Sequence, residues 1–483
     1  MQQERYDPYR LTASGIEEPP GSLCAALMRI GPGLILAGSI VGTGELIATT
    51  HIGAKVGFVL LWLVLFSCFI KVFVQIELGR SAIVSGQTTL ASLDGVPRIG
   101  PLLTWWWLAM MLATQMQIGA MIGSIGQAVH MGIPEVVPLL DRAVARVVPG
   151  LAGSWTARPE LPWAFLVTLL TAGLLVWGTY RLVERVSTFL VVVFTLVTVL
   201  CVVLLQWTDY RFGVAEIVSG LTFSFPREAI LPAFAMFGIT GVGASELVSY
   251  PYWCVEKGYA RYVGPRDLSG WLVRARGWVG VMKLDAWGCM VLYTTATVSF
   301  YLLGAAVLHS FGGKGLPDDV EGMMRALARM YEPVLGNTGS VMFIVAGAFA
   351  VLYSTLFAAT AANSRLLADF LRVRGYARIQ SPEERLFWVR FACVLFLALG
   401  LILYCAMGSP PAMVVIGGFA QAVTLPMLAA VAVYLRYSSQ EPALAPSLWG
   451  SMLLWLSFLA MLLAAGVVLV DQLAKLLGWS LPS

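Results

Sequence analysis

The sequence predicts an all-α polytopic membrane protein with about eleven transmembrane helices, two of them broken near their middles. Three observations predict it. The chain is 58% hydrophobic and only 12% charged, roughly half the charged share of a soluble domain. Apolar runs of the ~20 residues needed to cross a bilayer recur along its 483 residues. Two of those runs are interrupted by a G-x-G with a lone glutamate just after it.

The elements follow in order. Residues 1–28 precede the first apolar run and carry Arg5, Asp7, Arg10, Glu17, Glu18 and the pair Pro19-Pro20. They are expected to form a short disordered cytoplasmic tail, not a signal peptide. Spans are expected at roughly 30–51, 57–80, 102–130, 161–179, 186–206, 228–254, 285–309, 338–362, 388–407, 412–435 and 448–474. The third and sixth are long enough to tilt or bend.

Basic residues orient the spans. The connection after the sixth carries Lys257, Arg261, Arg266, Arg274, Arg276 and Lys283, and that after the eighth carries Arg365, Arg372, Arg374, Arg378, Arg385 and Arg390. With the N terminus inside, both clusters fall on the cytoplasmic face of a cell (inner) membrane. The run Trp105-Trp106-Trp107 reads as an interface belt. Three connections are expected to be partly structured: 131–160, the amphipathic 312–337 (Val320, Met323, Met324, Leu327, Met330, Tyr331), and 266–283 along the inner interface.

Other chemistries find no support. The seven cysteines form no C-x-x-C pair and read as small hydrophobes. No P-loop, dinucleotide fingerprint, G-x-S-x-G or H-E-x-x-H occurs, so an enzyme is not expected. No basic cluster is interleaved with aromatics as a nucleic-acid channel requires. The expected partners are the lipid bilayer and a small inorganic ion, with no obligate protein partner and no cofactor beyond a transported or coupling cation.

The broken helices carry the functional signal. The first span reads Gly42-Thr43-Gly44-Glu45, and the sixth reads Thr240-Gly241-Val242-Gly243-Ala244-Ser245-Glu246. Each glycine weakens a helix by about 1 kcal/mol relative to alanine. The backbone groups so freed cannot bond to lipid, and must line a cavity or a ligand. A carboxylate at this depth costs at least about 2.5–3.5 kcal/mol. Mid-membrane glycines also serve helix packing, but two matched carboxylates beside matched breaks point to an ion site. The two spans are antiparallel in this topology, as two inverted five-helix repeats would make them. The core then covers about 29–435, with halves at about 29–206 and 228–435, and 448–483 holds an eleventh helix and a short C terminus.

Residues Gly31-Pro32-Gly33-Leu34, Gly53-Ala54-Lys55-Val56-Gly57, Leu60-Leu61-Trp62, Ser354-Thr355, Thr360-Ala361-Ala362, Gln421 and Leu425-Pro426 resemble the natural resistance-associated macrophage protein family of divalent-metal transporters. The resemblance implies a LeuT-like five-plus-five inverted repeat with one extra helix. It also shows departures. Where the family has Asp-Pro-Gly-Asn, this chain has Gly42-Thr43-Gly44-Glu45, and the family's Met-Pro-His falls near Val242-Gly243-Ala244. The family's third-span carboxylates are replaced by Gln115 and Ile118.

The expected ion site is therefore built from oxygen: Gly42, Thr43, Gly44, Glu45, Thr240, Gly241, Gly243, Ser245, Glu246 and Gln421, with Glu45 and Glu246 as metal ligands. Such donors suit Mg²⁺, Ca²⁺ or Mn²⁺. The expected function is secondary transport of a divalent cation by alternating access between the broken helices. The alternative is an ion-coupled carrier of a small anion or organic solute, bound at helix N-termini, with the glutamates holding the coupling ion. Lys71 is expected to snorkel or pack, with compensation of a buried carboxylate elsewhere as the alternative, Glu77 and Arg80 to pair along one helix, Arg365 and Asp369 to pair likewise, and Asp285 to cap the seventh span. His51, His130 and His309 are expected at the outer ends of spans.

Overall fold

The computed structural model of the chain describes residues 9, 11, 15–147, 157–177, 180–226, 229–438, 442–445 and 447–476. Most of residues 1–14 of the expected tail lie outside the described residues. From Gly15 onward that segment is packed: Trp278 donates to the Glu17 carbonyl at 2.9 Å, and Arg29 pairs with Glu17 at 3.1 Å.

Among the described residues every regular element is helical. The first span is α1 (Pro32–Ile40), a π-helical turn Thr43–Thr49, and α2 (Thr50–Val56), bent by 42°. The second is α3 (Leu61–Ser85). The third divides into α4 (Gly100–Ala113) and α5 (Gln115–Gly132) at Thr114, whose hydroxyl donates to the Met111 carbonyl at 2.7 Å. Then come α6 (Glu160–Trp177) and α7 (Tyr180–Leu204). The sixth span is broken into α8 (Ile230–Ile239) and α9 (Ala244–Lys257).

The seventh span differs from expectation. Residues 266–283 are not a separate interfacial piece: α10 runs unbroken from Trp271 to Leu303. Trp271, Ala275, Trp278, Met282, Ala286, Cys289 and Tyr293 are buried at spacings of three and four, a continuous helical stripe. Arg276 lies off this stripe, while Arg274 is buried within it, and neither interrupts the helix. Asp285 consequently sits inside α10 and caps α1 instead. Its carboxylate accepts from the Gly31 and Gly33 N–H groups at 3.0 and 2.6 Å, and from the Tyr250 hydroxyl at 2.9 Å.

The amphipathic connection forms α11 (Val320–Arg329), capped by Asp319 and buried through Val320, Met323, Met324 and Leu327. Helix α12 (Glu332–Val373) is kinked at Gly336, whose φ of 69° favours glycine. Ser381 and Glu384 form a capping box at the start of α13 (Pro382–Met407). Helices α14 (Pro410–Ser438) and α15 (Leu448–Leu476) complete the chain. Of the tryptophan run, Trp105 and Trp106 are exposed, while Trp107 is buried.

Candidate functional site

The break in the sixth span can be followed bond by bond. In a continuous helix the Gly241 N–H would donate to the Phe237 carbonyl. Here it donates to Glu45 Oε1 at 3.1 Å. The Phe237 carbonyl and the Thr240 carbonyl are instead taken up by α3. Lys71 Nζ donates to both, at 2.8 Å to Thr240, and the Ser67 hydroxyl lies 3.3 and 3.2 Å from the same two oxygens. Gly241 turns the chain with a φ of 66°, a conformation that costs glycine least. One turn later the Ser245 N–H donates to Gln421 Oε1 at 3.0 Å and not to the carbonyl four residues back. Both ends of the gap are thus satisfied by side chains, as an opened helix in a membrane requires.

The first break is built the same way with different partners. The Thr355 hydroxyl lies 3.2 Å from the Gly38 carbonyl and 3.3 Å from the Val41 carbonyl, and Ser354 approaches Gly38 at 3.4 Å. A Cβ on Gly42 would overlap the Thr355 side chain. The position where the resemblance places an aspartate therefore has no room for any side chain.

Between the breaks lies a small cavity of about 40 Å³ that opens to a wider mouth, its lining mixed polar and apolar. Gly44, Ser245, Glu246 and Gln421 line it, with Ser39, Thr114, Gln117, Met121, Ser249, Thr355 and Asn363. Glu246 is half-buried. A Cβ on Gly243 would lie 2.6 Å from both Glu246 Oε2 and Gln421 Oε1, so these two oxygens converge on the glycine. Glu45 does not line this cavity. Its carboxylate is fully buried behind the sixth-span break, where Oε1 also accepts from the Thr297 hydroxyl at 3.2 Å. Oε2 has no hydrogen-bond partner among the described residues. The Thr240 hydroxyl is buried and likewise without a partner there, and its carbonyl faces α3. The Thr43 side chain lies outside the described residues.

Several residues of this site were not singled out from the sequence. Gln117 accepts from the Gln421 side-chain amide at 3.0 Å and so fixes which way Gln421 points. Met121 adds a thioether to the lining, and the Ser245 hydroxyl lies 3.7 Å from the Met110 sulfur. These come from α4 and α5, far from the glycine motifs in sequence, and no local pattern marks them. Lys71 does not snorkel: it is sealed from solvent, at a depth where an unpartnered ammonium costs at least about 2.5–3.5 kcal/mol. Arg365 pairs with Glu256 at 2.8 Å and not with Asp369. Asp369 accepts from Thr88 at 2.6 Å and Arg372 at 2.8 Å. Glu77 and Arg80 do pair, as a buried couple. His51 accepts from the Leu316 N–H at 3.1 Å, and His309 lies 3.0 Å from the Ala54 carbonyl. Neither reaches the cavity. Among the described residues no three His, Cys, Asp or Glu side chains converge, so an ion here would be held by carboxylate plus neutral oxygen.

Residues 33–471 match the family described as natural resistance-associated macrophage protein-like. The divalent metal cation transporter MntH of Brucella suis biovar 1 (strain 1330) is 24% identical over 457 residues, covering 92% of this chain and 87% of that protein. A histidine variant of the manganese transporter of Eremococcus coleocola superposes with a TM-score of 0.66 at 17% identity, covering 98% of this chain and 93% of its own. Mhp1, a nucleobase-cation-symport-1 family transporter, superposes with a TM-score of 0.53 at 13% identity, covering 96% of each chain.

Proposed function

The chain belongs to the natural resistance-associated macrophage protein-like family, and from that membership we propose that it is a secondary transporter of a divalent metal cation of the Mg²⁺ or Mn²⁺ class. Its fold is the LeuT-like five-plus-five arrangement with one extra helix, and it is a transporter rather than an enzyme. The core divides into halves at about 29–206 and 228–435, leaving 448–483 outside the repeat. Opening and closing then proceed by rocking α1, α2, α8 and α9 against the remaining bundle. The N terminus lies on the cytoplasmic side of the cell (inner) membrane, following the distribution of arginine and lysine.

The single observation that carries the reading is Glu246: a carboxylate facing this cavity, converging with the Gln421 oxygen over Gly243. Glu246, Gln421 and Ser245 are the ligands we assign in the cavity. Glu45 supplies the second carboxyl from behind the break, and its Oε2, without a hydrogen-bond partner among the described residues, is the oxygen available to a cation that draws the two helices together. Gly42, Thr43, Gly44, Thr240, Gly241 and Gly243 contribute backbone that lets these groups approach. An oxygen set with one or two carboxylates suits a hard divalent ion, partly hydrated. The anion alternative is weakened because two of the N–H groups at the sixth-span break are already engaged: Gly241 by Glu45 and Ser245 by Gln421.

The test is uptake by the purified chain in liposomes, with Mn²⁺, Mg²⁺ and Ca²⁺ presented in turn. Glu246→Gln is expected to lower uptake by about a hundredfold or more, since even outer-sphere partners of a metal site are worth 10–100-fold. Glu45→Gln, which can keep the bond to Gly241, is expected to lower it less. Unchanged uptake in both variants overturns the assignment.

A further inference from the structure

We infer that Lys71 is a resident cation: its ammonium fills a built cation site at the C-terminal end of α8, and holding that site occupied is what keeps the sixth helix open. Resting on the transport reading above, this makes Lys71 a positioning residue for the cation pathway.

The site is complete in the way a cation site is complete. Its floor is two carbonyl oxygens, Phe237 and Thr240, both receiving Lys71. Ser67, one helical turn before Lys71 on the same face of α3, reaches the same pair. The Phe237 ring lies with its centroid 4.7 Å from Nζ, a cation–π contact. These carbonyls terminate α8, where the helix dipole places its negative end. Lysine, serine and both carbonyls are buried.

The bond swap gives the site its consequence. A closed helix would pair the Gly241 N–H with the Phe237 carbonyl. The ammonium holds the carbonyl, which leaves the N–H for Glu45. A lysine donor on one side of the break and a glutamate acceptor on the other thus hold the same opened backbone. Remove the ammonium and the carbonyl recovers its backbone partner, the Gly241 N–H turns back, and Glu45 loses its anchor.

A tethered cation can be replaced by a free one, which packing alone cannot explain. Lys71→Ala leaves a channel the length of n-propylammonium. In detergent-purified full-length protein, n-propylammonium is expected to raise the unfolding temperature of Lys71→Ala and leave the wild type unchanged, with tetramethylammonium as the ineffective control. In liposomes the variant is expected to lose about tenfold in metal uptake and regain most of it with n-propylammonium, on the scale by which catalytic losses are read. Lys71→Met, which fills the channel with an uncharged chain, is expected to be defective and unresponsive to the amine. If Lys71→Ala fails to fold without amine, preparation in n-propylammonium is expected to yield folded protein.

Wild-type uptake by Lys71→Ala overturns the inference, as does a defect the amine does not relieve, equal rescue of Lys71→Met, or failure to fold in both media. The thermal readout involves no transport. A wild type that carries no metal therefore refutes the transport reading alone, and an amine-insensitive Lys71→Ala refutes the lysine site alone.

Discussion

At the scale of single residues, the site depends on side chains that are absent. Gly243 is the sharpest case, because a methyl group there would press on Glu246 Oε2 and Gln421 Oε1 at 2.6 Å each. Both would have to withdraw, and with them the converging oxygens. Gly243→Ala is therefore expected to raise the KM for metal uptake by about tenfold, the size of effect seen when the support of a metal ligand is disturbed. Gly44→Ala is the comparison, since its added carbon would meet nothing nearer than the Ile239 carbonyl at 3.4 Å. Equal KM values for the two variants would contradict the account. The glycines and glutamates were legible in the sequence because each pair sits inside an apolar run where neither belongs. Among their partners only Gln421 was read as part of the site. Ser67, Lys71, Gln117 and Thr355 lie on three other spans, and only the folded chain brings them to the breaks.

At the scale of elements, the sequence located spans well and their joints less well. Apolar length marks a membrane helix strongly, and each expected span meets a helix. Where polar residues belong to a helix rather than bounding it, that signal fails. Arg274 and Arg276 made the start of α10 read as a surface piece, yet Arg274 is itself buried and donates to the Val263 carbonyl at 3.0 Å. Asp285 read as a cap for its own helix because carboxylates favour helix N-termini. It does cap a helix, but a distant one: α1, whose glycine-rich start presents free N–H groups to it. The division of labour between breaks has the same origin. α12 serves the first break with neutral hydroxyls, whereas α3 serves the sixth with a hydroxyl and an ammonium. Nothing within either broken segment distinguishes the two.

At the scale of the whole molecule, fold and site answer different questions. Likeness to solved transporters at 13–17% identity speaks to the arrangement of helices. The site speaks to this chain alone, since its two glutamates are not residues that the family resemblance supplies, although Gln421 is. Orientation is a whole-molecule property too. Cys24 is exposed, and five other cysteines are buried, so a membrane-impermeant maleimide is expected to label Cys24 from the cytoplasmic face and not from outside. Labelling of Cys24 in intact cells would reverse the topology. The central claim, that a divalent cation binds where two opened helices meet, is tested most directly by anomalous diffraction from crystals of the full-length protein grown with Mn²⁺. The account predicts a single strong peak in contact with the Glu246 carboxylate, in the space bounded by Gly44, Ser245 and Gln421. A peak bonded to other residues, or an empty cavity at Mn²⁺ concentrations that saturate uptake, would contradict it.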